Sequence, residues 1–383
     1  MLKMIQESAL WKSFSTLEDP RTDKHSSRHL LQDILLLTIL GVICGADSWV
    51  AIERFGKSKE EWLKTFLKLP YGIPSHDTLG DFFARVNPQQ LQTCFLNWIN
   101  EAFSFSGGEI IAIDGKTLRG SYDTASDRKA IHMINAWACR NNIILGQYKT
   151  EEKSNEITAI PELLKVLDLQ GNIVTIDAMG CQKKIAQQII EQGGDYVFNL
   201  KGNQSSLHND VSLFFKHYLE NDPEKNKAVV SCSVIDGDHG RVEKRRYWIT
   251  EDIAWLLQRA GWRGLKSIGL VEYESVDKST GEIKTEKRCF IASLAADAKQ
   301  FSQVVRLHWG VESMHWCLDV GFREDNCRVR KDHAPENLAV IRQIALNLLK
   351  QEKSAKVGIQ TKRLMAGWDH VYLAKLLDGS KNV

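Results

Sequence analysis

The sequence predicts an α/β fold: a mixed sheet flanked by helices, with an N-terminal all-α domain and a β-rich insertion. Two observations lead to it. Short apolar segments, each followed by an aspartate, recur at 109–113 and 172–176, as expected of buried strands. Helix-like segments lie between and after them, and such alternation is typical of helices layered on a sheet.

The N-terminal domain, residues 1–103, is predicted to be helical throughout. The apolar run at 34–46 is too short for a membrane span, which needs about 20 apolar residues, so we expect a buried helix. Ser75 is well placed to cap a helix after the turn LPYGIPSH. Two helices around a short turn fit either a DNA-binding helix-turn-helix or an ordinary helical bundle, and both interpretations stay open.

The remaining chain divides into four predicted parts. Residues 104–204 form the first part of the core, in the order strand, hairpin turning at 140–142, helix, strand, helix, strand. Residues 205–290 form the β-rich insertion, with a turn at 279–281. Residues 291–351 return to the core with a long helix, and 352–383 form a helical tail.

Composition excludes several classes of protein. The 50 Lys and Arg against 48 Asp and Glu give a net charge of +2, so a DNA-binding surface has to be a local patch. The eight cysteines include no C-x-x-C pair, which argues against a zinc ribbon or disulfide scaffold and fits a reducing compartment. The N-terminus lacks the features of a signal peptide. We expect a cytoplasmic protein with no membrane partner.

Two aspartates stand at the ends of predicted strands. By itself, Asp114 before Gly115 fits a hairpin turn, and Asp177 before a helix fits an N-cap. If the two strands are neighbours, however, their carboxylates meet at one edge of the sheet. Carboxylates packed together repel unless a cation neutralises them, and oxygen ligands suit Mg²⁺ or Mn²⁺.

The segment 304–330 supplies a third carboxylate. Read as one helix, it places His308, Glu312, His315 and Asp319 on a single face. Glu312 would complete a site with the two aspartates. Two ions held there, roughly 3.5–4 Å apart, would activate the attacking oxygen and stabilise the leaving oxygen of a phosphodiester.

The same helix fits three other interpretations. Glu312-x-x-His315 is the pair used in di-iron bundles, but these need a second such pair, and the sequence contains no other Glu-x-x-His. His308, His315 and Glu312 could instead bind zinc, but the sequence contains no second cluster of ligands with the spacing of a zinc site. Both histidines also fit the core of a buried helix, and this interpretation stays open.

The ordered set of motifs resembles the DDE transposases of bacterial insertion sequences, in particular the H-repeat-associated type with its extra N-terminal domain. The motifs are LEDPR, GIPSHDT, AIDGKTLRGS, TIDAMGCQ, LKGNQ, DGDHGRVEKRR and HWGVESMHWCLDVGFREDNCRVR. The resemblance implies an RNase H-like core, with Asp114, Asp177 and Glu312 as catalytic metal ligands and a β-stranded insertion in the 135 residues (312 − 177) between the last two. It also implies metal-dependent cleavage and transfer of double-stranded DNA at element ends, by a homodimer using two Mg²⁺ or Mn²⁺ ions.

The chain departs from related transposases around Glu312. These carry Tyr, Arg and Lys at −7, −4 and +7 from the glutamate, where this chain has Val305, His308 and Asp319. His308 retains the ability to contact a phosphate, whereas Asp319 does not and is expected to pair with Arg323 at i+4. His315 and Asp319 are candidates to contact the metal ligands without binding the metal themselves.

Candidate DNA contacts are polar or basic residues near the predicted strand ends, on the ribbon and after Glu312. They are Lys201, Asn203, Arg241, Arg245, His308, Arg328 and Arg330. A solvated strand face explains the ribbon arginines equally well. The predicted function is a DNA transposase. The alternatives are a metal-dependent nuclease on the same fold and a non-catalytic DNA-binding relic.

Overall fold

A mixed sheet of nine strands organises the computed structural model, which describes residues 7–21, 27–103, 107–122, 129–150, 156–221, 228–238 and 241–378. The strands are β1 Ile110–Thr117, β2 His132–Ala138, β3 Ile143–Thr150, β4 Ile173–Ile176, β5 Asp195–Leu200, β6 Val229–Asp238, β7 Arg241–Thr250, β8 Ser267–Asp277 and β9 Ile283–Ala292. Their order across the sheet is β3-β2-β1-β4-β5-β9-β8-β7-β6. The predicted mixed sheet is confirmed.

The register of the central strands positions the candidate site. β1 runs parallel to β4, and Ile113 lies opposite Ile176. β4 runs parallel to β5, while β2 is antiparallel to both β1 and β3. The strand that contains Asp114 and the strand that precedes Asp177 are therefore neighbours, which is the condition that the predicted site requires.

Helices cover the sheet and build the N-terminal region. They are α1 Ala9–Phe14, α2 Leu31–Ile43, α3 Trp49–Ser58, α4 Glu60–Leu63, α5 His76–Arg85, α6 Pro88–Ala102, α7 Glu156–Lys165, α8 Lys183–Glu191, α9 Ser205–Glu220, α10 Ala298–His308, α11 Gly310–Trp316, α12 Ala334–Gln351, α13 Ile359–Trp368 and α14 His370–Asp378. The tail, predicted to be helical, contains the two helices α13 and α14 among its described residues.

The N-terminal helices form a bundle around the long helix α12, which packs against α2, α5 and α6 and also against β3. The side-chain amide of Asn337 donates to the carbonyls of Phe83 and Val86 at 2.8 and 2.9 Å, satisfying the end of α5. Ser75 caps α5 as predicted, accepting from the Thr78 amide at 3.2 Å. The apolar run at 34–46 lies in and just after the buried helix α2. No helix among the described residues is long and apolar enough to cross a membrane.

The predicted β-rich insertion is partly wrong. Residues 205–220 form α9 because Leu207, Val211, Phe215 and Tyr218 recur at helical spacing and are buried on one face. The ribbons that follow are strands β6 to β9, and they extend the core sheet through the pairing of β9 with β5. The turn predicted at 279–281 is present, with Gly281 at φ +70°. All eight cysteines are free.

Candidate active site

Asp114 lies within β1, opposite Asn135 of β2. The strand continues to Thr117, so the alternative interpretation as a hairpin turn is wrong, and so is the expectation that Asp114 ends the strand. Its Oδ1 accepts a hydrogen bond from the Gly115 amide at 2.9 Å. The carboxyl is largely withdrawn from solvent.

Asp177 directly follows β4. Because Ile113 pairs with Ile176 in parallel register, the next residue of each strand places Asp114 and Asp177 side by side. The Oδ1 of Asp177 accepts from the amides of Met179 and Gly180 at 3.0 and 3.4 Å, which orders the loop after the strand. The N-cap interpretation is wrong, since α8 begins only at Lys183, with Gln182 at its N-cap.

Glu312 lies in the first turn of α11, which packs on β1, while α10 packs on both β1 and β4. Its side chain is exposed and lines a cavity of about 820 Å³. The predicted single helix is instead three segments, since α10 ends at His308, α11 at Trp316, and Cys317–Gly321 form a π-helical turn.

The electrostatics of Asp114 link these carboxylates. Burial, together with the negative charges of Asp177, Glu156 and Glu312, raises the pKa of Asp114 to about 7. Carboxylate oxygens in such a group are the donors that Mg²⁺ and Mn²⁺ prefer. Across the described ranges, however, no group of three or more His, Cys, Asp or Glu side chains is arranged to hold a metal ion. The donor types fit a divalent cation, but a closed ligand cage is not preformed.

His315 faces Asp114, at 3.5 Å from its Nδ1 to Oδ2 of the aspartate. Its Nε2 lies 3.3 Å from the side-chain nitrogen of Asn135. Burial, together with the positive charge of Lys116, lowers the pKa of His315 to about 4, so the imidazole is neutral at pH 7. The structure thus places this histidine beside the first aspartate.

The predicted pairing of Asp319 with Arg323 is wrong. Asp319 instead forms an ion pair with Lys116, with 2.6 Å between its Oδ1 and Nζ of the lysine, because the π-helical turn directs the aspartate towards β1. Lys116 also forms an ion pair with Glu324. The other carboxylate oxygen of Glu324, Oε1, lies 3.6 Å from Nη1 of Arg342. Burial opposes the charge of Lys116, but the carboxylates of Glu324 and Asp319 outweigh it and raise its pKa. These ion pairs tie the end of the Glu312 segment to the strand that carries Asp114.

A second buried group lies behind Asp114. His132 contacts Thr117 at 2.9 Å through Nδ1 and Glu156 at 2.6 Å through Nε2. Gly115 is required here, since a Cβ at this position would stand 2.3 Å from the Glu156 carboxylate and 2.5 Å from the His132 ring. Sequence reasoning missed this group and the Lys116 ion pairs, because their members are far apart in the chain.

The LKGNQ residues are located beside the loop after Asp177. Asn203 donates to the carbonyl of Ala178 at 2.6 Å and Gln204 to that of Cys181 at 3.0 Å. Asn203 therefore supports the Asp177 loop in this structure. Lys201 is exposed and remains available to a ligand.

The remaining predicted DNA contacts have different surroundings. His308 contacts Thr175 at 2.9 Å, and burial lowers its pKa to about 4, so it carries no charge for a phosphate at pH 7. Arg330 donates to the Gly120 carbonyl at 3.3 Å and stacks over Tyr122. Arg241 and Arg328 are exposed.

Besides Glu286 and several apolar residues, the cavity beside Glu312 is lined by positive and aromatic side chains from β2, β7, β8, β9, α10, the turn after β2 and the residue after α10. They are Arg140, Arg245, Arg288, Arg306, Trp137, Tyr247, Tyr273 and Trp309. Arg245 lies 5.1 Å from the centre of the Tyr273 ring, and Arg288 lies 4.4 Å from that of Trp309. Arg245 also pairs with Asp236 at 3.0 Å. Such surfaces suit a phosphate backbone and bases.

Comparison with protein families gives two matches that together cover most of the chain. Residues 11–99 match the model described as DDE_Tnp_1-associated, and residues 105–348 match the Transposase DDE domain.

Several curated proteins are similar over much of their length. "H repeat-associated putative transposase YhhI" of Escherichia coli K12 is 42% identical over 92% of this chain and 93% of its own. "Putative transposase YncI" of Escherichia coli O157:H7 is 40% identical over 91% and 90%. "Inactive transposase YbfQ" of strain K12 is 51% identical, but over only 14% of this chain.

Among solved structures, a piggyBac transposase synaptic complex with hairpin DNA aligns with 98% of this chain and 77% of that one. The TM-score is 0.42 and the sequence identity 10%.

Proposed function

Because the chain belongs to the DDE-domain transposase family, we propose that it cleaves DNA at element ends and joins the freed strand to target DNA. The observation that supports this best is the parallel register of Ile113 with Ile176. It sets Asp114 beside Asp177, under the helix that carries Glu312. We propose these three carboxylates as the catalytic residues.

An RNase H-like core is part of the proposal. Its support is the order β3-β2-β1-β4-β5, with β2 antiparallel and the other central strands parallel. The strands β6 to β9 would then be an insertion that widens this sheet before the chain returns through α10 to Glu312.

Asp114, Asp177 and Glu312 would hold the divalent ions, Mg²⁺ or Mn²⁺ and two in number. Bound there, the ions would activate the attacking oxygen and stabilise the leaving oxygen of the phosphodiester. Asp114 has to release its proton to act as a ligand, so a nearby positive charge favours its active form. Glu312, whose negative charge contributes to the raised pKa of Asp114, would complete the ligand set.

Double-stranded DNA is the proposed substrate, bound as element ends and as target by a homodimer. The cavity beside Glu312, with its four arginines, would hold the strand next to the site of cleavage. Lys201, Arg241 and Arg328 are exposed and are proposed as outer phosphate contacts.

The DNA-binding part of the proposal is tested by two adjacent arginines of β7 on opposite faces. Arg245 lines the cavity, whereas Arg246 pairs with Glu272 on the other face. We expect Arg245→Ala to weaken DNA binding several-fold and to reduce the salt dependence of log K by about 0.9, the value for one phosphate contact. Arg246→Ala is the control. Fluorescence anisotropy over a salt series measures both, and equal effects of the two variants would contradict the assignment.

The catalytic part is tested with a supercoiled plasmid that carries the gene and its native flanking DNA. We expect cuts at the element boundaries in Mg²⁺ or Mn²⁺, followed by strand-transfer products. Glu312→Gln should reduce cleavage on the order of 10³-fold or more, the usual cost of removing one of several cooperating catalytic groups. Glu282→Gln, on the exposed turn before β9, is the matched control.

The outcomes separate the alternatives. Cuts without transfer products would indicate a nuclease, and DNA binding without cuts would indicate a relic. Cleavage that survives Glu312→Gln would refute the assignment of the site.

A further inference from the structure

A row of polar side chains leads from Asp114 into the core. The register places Asp114 opposite Asn135 and Asn135 opposite Gln147, across three adjacent strands. Gln343 of α12 covers this row. Asn135, Gln147 and Gln343 are 2%, 5% and 2% exposed, and buried amides of this kind need partners whose donors and acceptors match.

The orientation of each amide follows from its neighbour. Gln147 donates to the backbone carbonyl of Glu336 at 3.4 Å. A carbonyl only accepts, so the side-chain oxygen of Gln147 has to face the other way. There it accepts from Nε2 of Gln343 at 2.6 Å, and the same nitrogen donates to Oδ1 of Asn135 at 2.9 Å.

The chain of amides ends at His315. Because Oδ1 of Asn135 accepts from Gln343, the amide nitrogen of Asn135 faces His315, and it lies 3.3 Å from Nε2. An amide nitrogen only donates, so Nε2 has to accept this hydrogen bond and carries no proton, which leaves the ring proton on Nδ1. Nδ1 is the atom that lies 3.5 Å from Oδ2 of Asp114.

We propose that His315 is a positioning residue: its Nδ1–H, set by the amide chain from Gln147 through Gln343 and Asn135, orients the carboxylate of Asp114 for metal binding. The inference rests on the proposed function, in which Asp114 is a metal ligand. The Gly115 amide donates to Oδ1 at 2.9 Å, and Nδ1 of His315 lies 3.5 Å from Oδ2, so the two groups approach different oxygens of the carboxylate. Such indirect support commonly contributes about 10–100-fold to metal affinity.

The test exploits the difference between the two ring nitrogens. The side-chain nitrogen of asparagine stands about as far from Cα as Nδ1 of histidine, whereas that of glutamine stands about as far from Cα as Nε2. We therefore expect His315→Asn to keep most of the affinity for Mn²⁺ and His315→Gln to lose about 10–100-fold. Binding is measured by the EPR signal of free Mn²⁺, so it does not depend on activity. His217→Gln, an exposed histidine on α9, is the control.

A second variant reverses the tautomer without touching His315. Asn135→Asp places an acceptor before Nε2, which draws the proton there and turns the lone pair of Nδ1 towards Asp114. We expect the ¹⁵N shifts of the labelled ring to report Nδ1–H in the wild type and Nε2–H in the variant, with a similar loss of Mn²⁺ affinity. A melting temperature close to that of the wild type shows that the variant folds.

Equal losses of Mn²⁺ affinity in His315→Asn and His315→Gln would overturn the proposal, and so would an Nε2–H tautomer in the wild type. If the wild type binds Mn²⁺ as expected but cuts no DNA, the proposed function fails while the role of His315 in orienting Asp114 stands.

Discussion

Asp114→Asn is expected to abolish DNA cleavage and, at the same time, to stabilise the metal-free protein at pH 8. The carboxylate is a required ligand in the proposed reaction, so activity falls by orders of magnitude. Without metal, its charge is buried beside Asp177, Glu156 and Glu312, which disfavour it. Asparagine removes that charge at nearly constant volume.

The pH dependence has a definite sign. The pKa of Asp114 rises from 3.8 to about 7 on folding, so between these values the folded state holds a proton that the unfolded state has released. The wild type therefore loses stability as pH rises through this window. The advantage of Asp114→Asn should grow from pH 4 to pH 7 and then stay constant, at roughly 1–3 kcal/mol.

Thermal melts at pH 4, 6 and 8, with and without Mg²⁺, measure this effect. Added Mg²⁺ should raise the melting temperature of the wild type at pH 8, since ligands that bind only the folded state stabilise it. The variant should respond much less. An Asp114→Asn protein that is less stable than the wild type at pH 8 would show that the carboxylate is structural.

Lys116→Met is expected to destabilise the fold by about 3–5 kcal/mol, the cost of removing one partner from a buried ion pair. Lys116 and Glu324 are 6% and 3% exposed. Without the ammonium, Asp319 loses its ion pair with Lys116, and Glu324 keeps its pair with Arg342 at 3.6 Å. The segment carrying Glu312 would then be held on β1 by the packing of α11 without these ion pairs.

Urea denaturation measures the free energy of unfolding, and two further variants interpret it. Lys165→Met removes an exposed pair with Glu162 on α7, which should cost no more than about 1 kcal/mol. The double variant Lys116→Met with Glu324→Gln should recover part of the loss, because it also removes the stranded carboxylate. A cost below that of Lys165→Met would refute a structural role for these ion pairs.

The sequence alone predicted the strands that position the aspartates. Apolar runs such as 109–113 and 172–176 are local patterns that specify buried strands, and the chain order favoured their pairing. It was less informative for 205–220, where a helix stands in place of the expected strands. Asp177 stands directly after β4, as expected. The sequence misjudged Asp114, which lies within β1 and not at its end, because the residue at which a strand ends depends on pairing with distant segments of the chain.

Only the tertiary structure decided which groups support the site. Lys116, Asp319, Glu324 and Arg342 meet because a π-helical turn and a long helix converge on β1. Likewise, the direction of the His315 proton depends on amides from β2, β3 and α12. Sequence periodicity predicts which face of an element is buried. Which partner each buried polar group meets depends on packing between elements far apart in the chain.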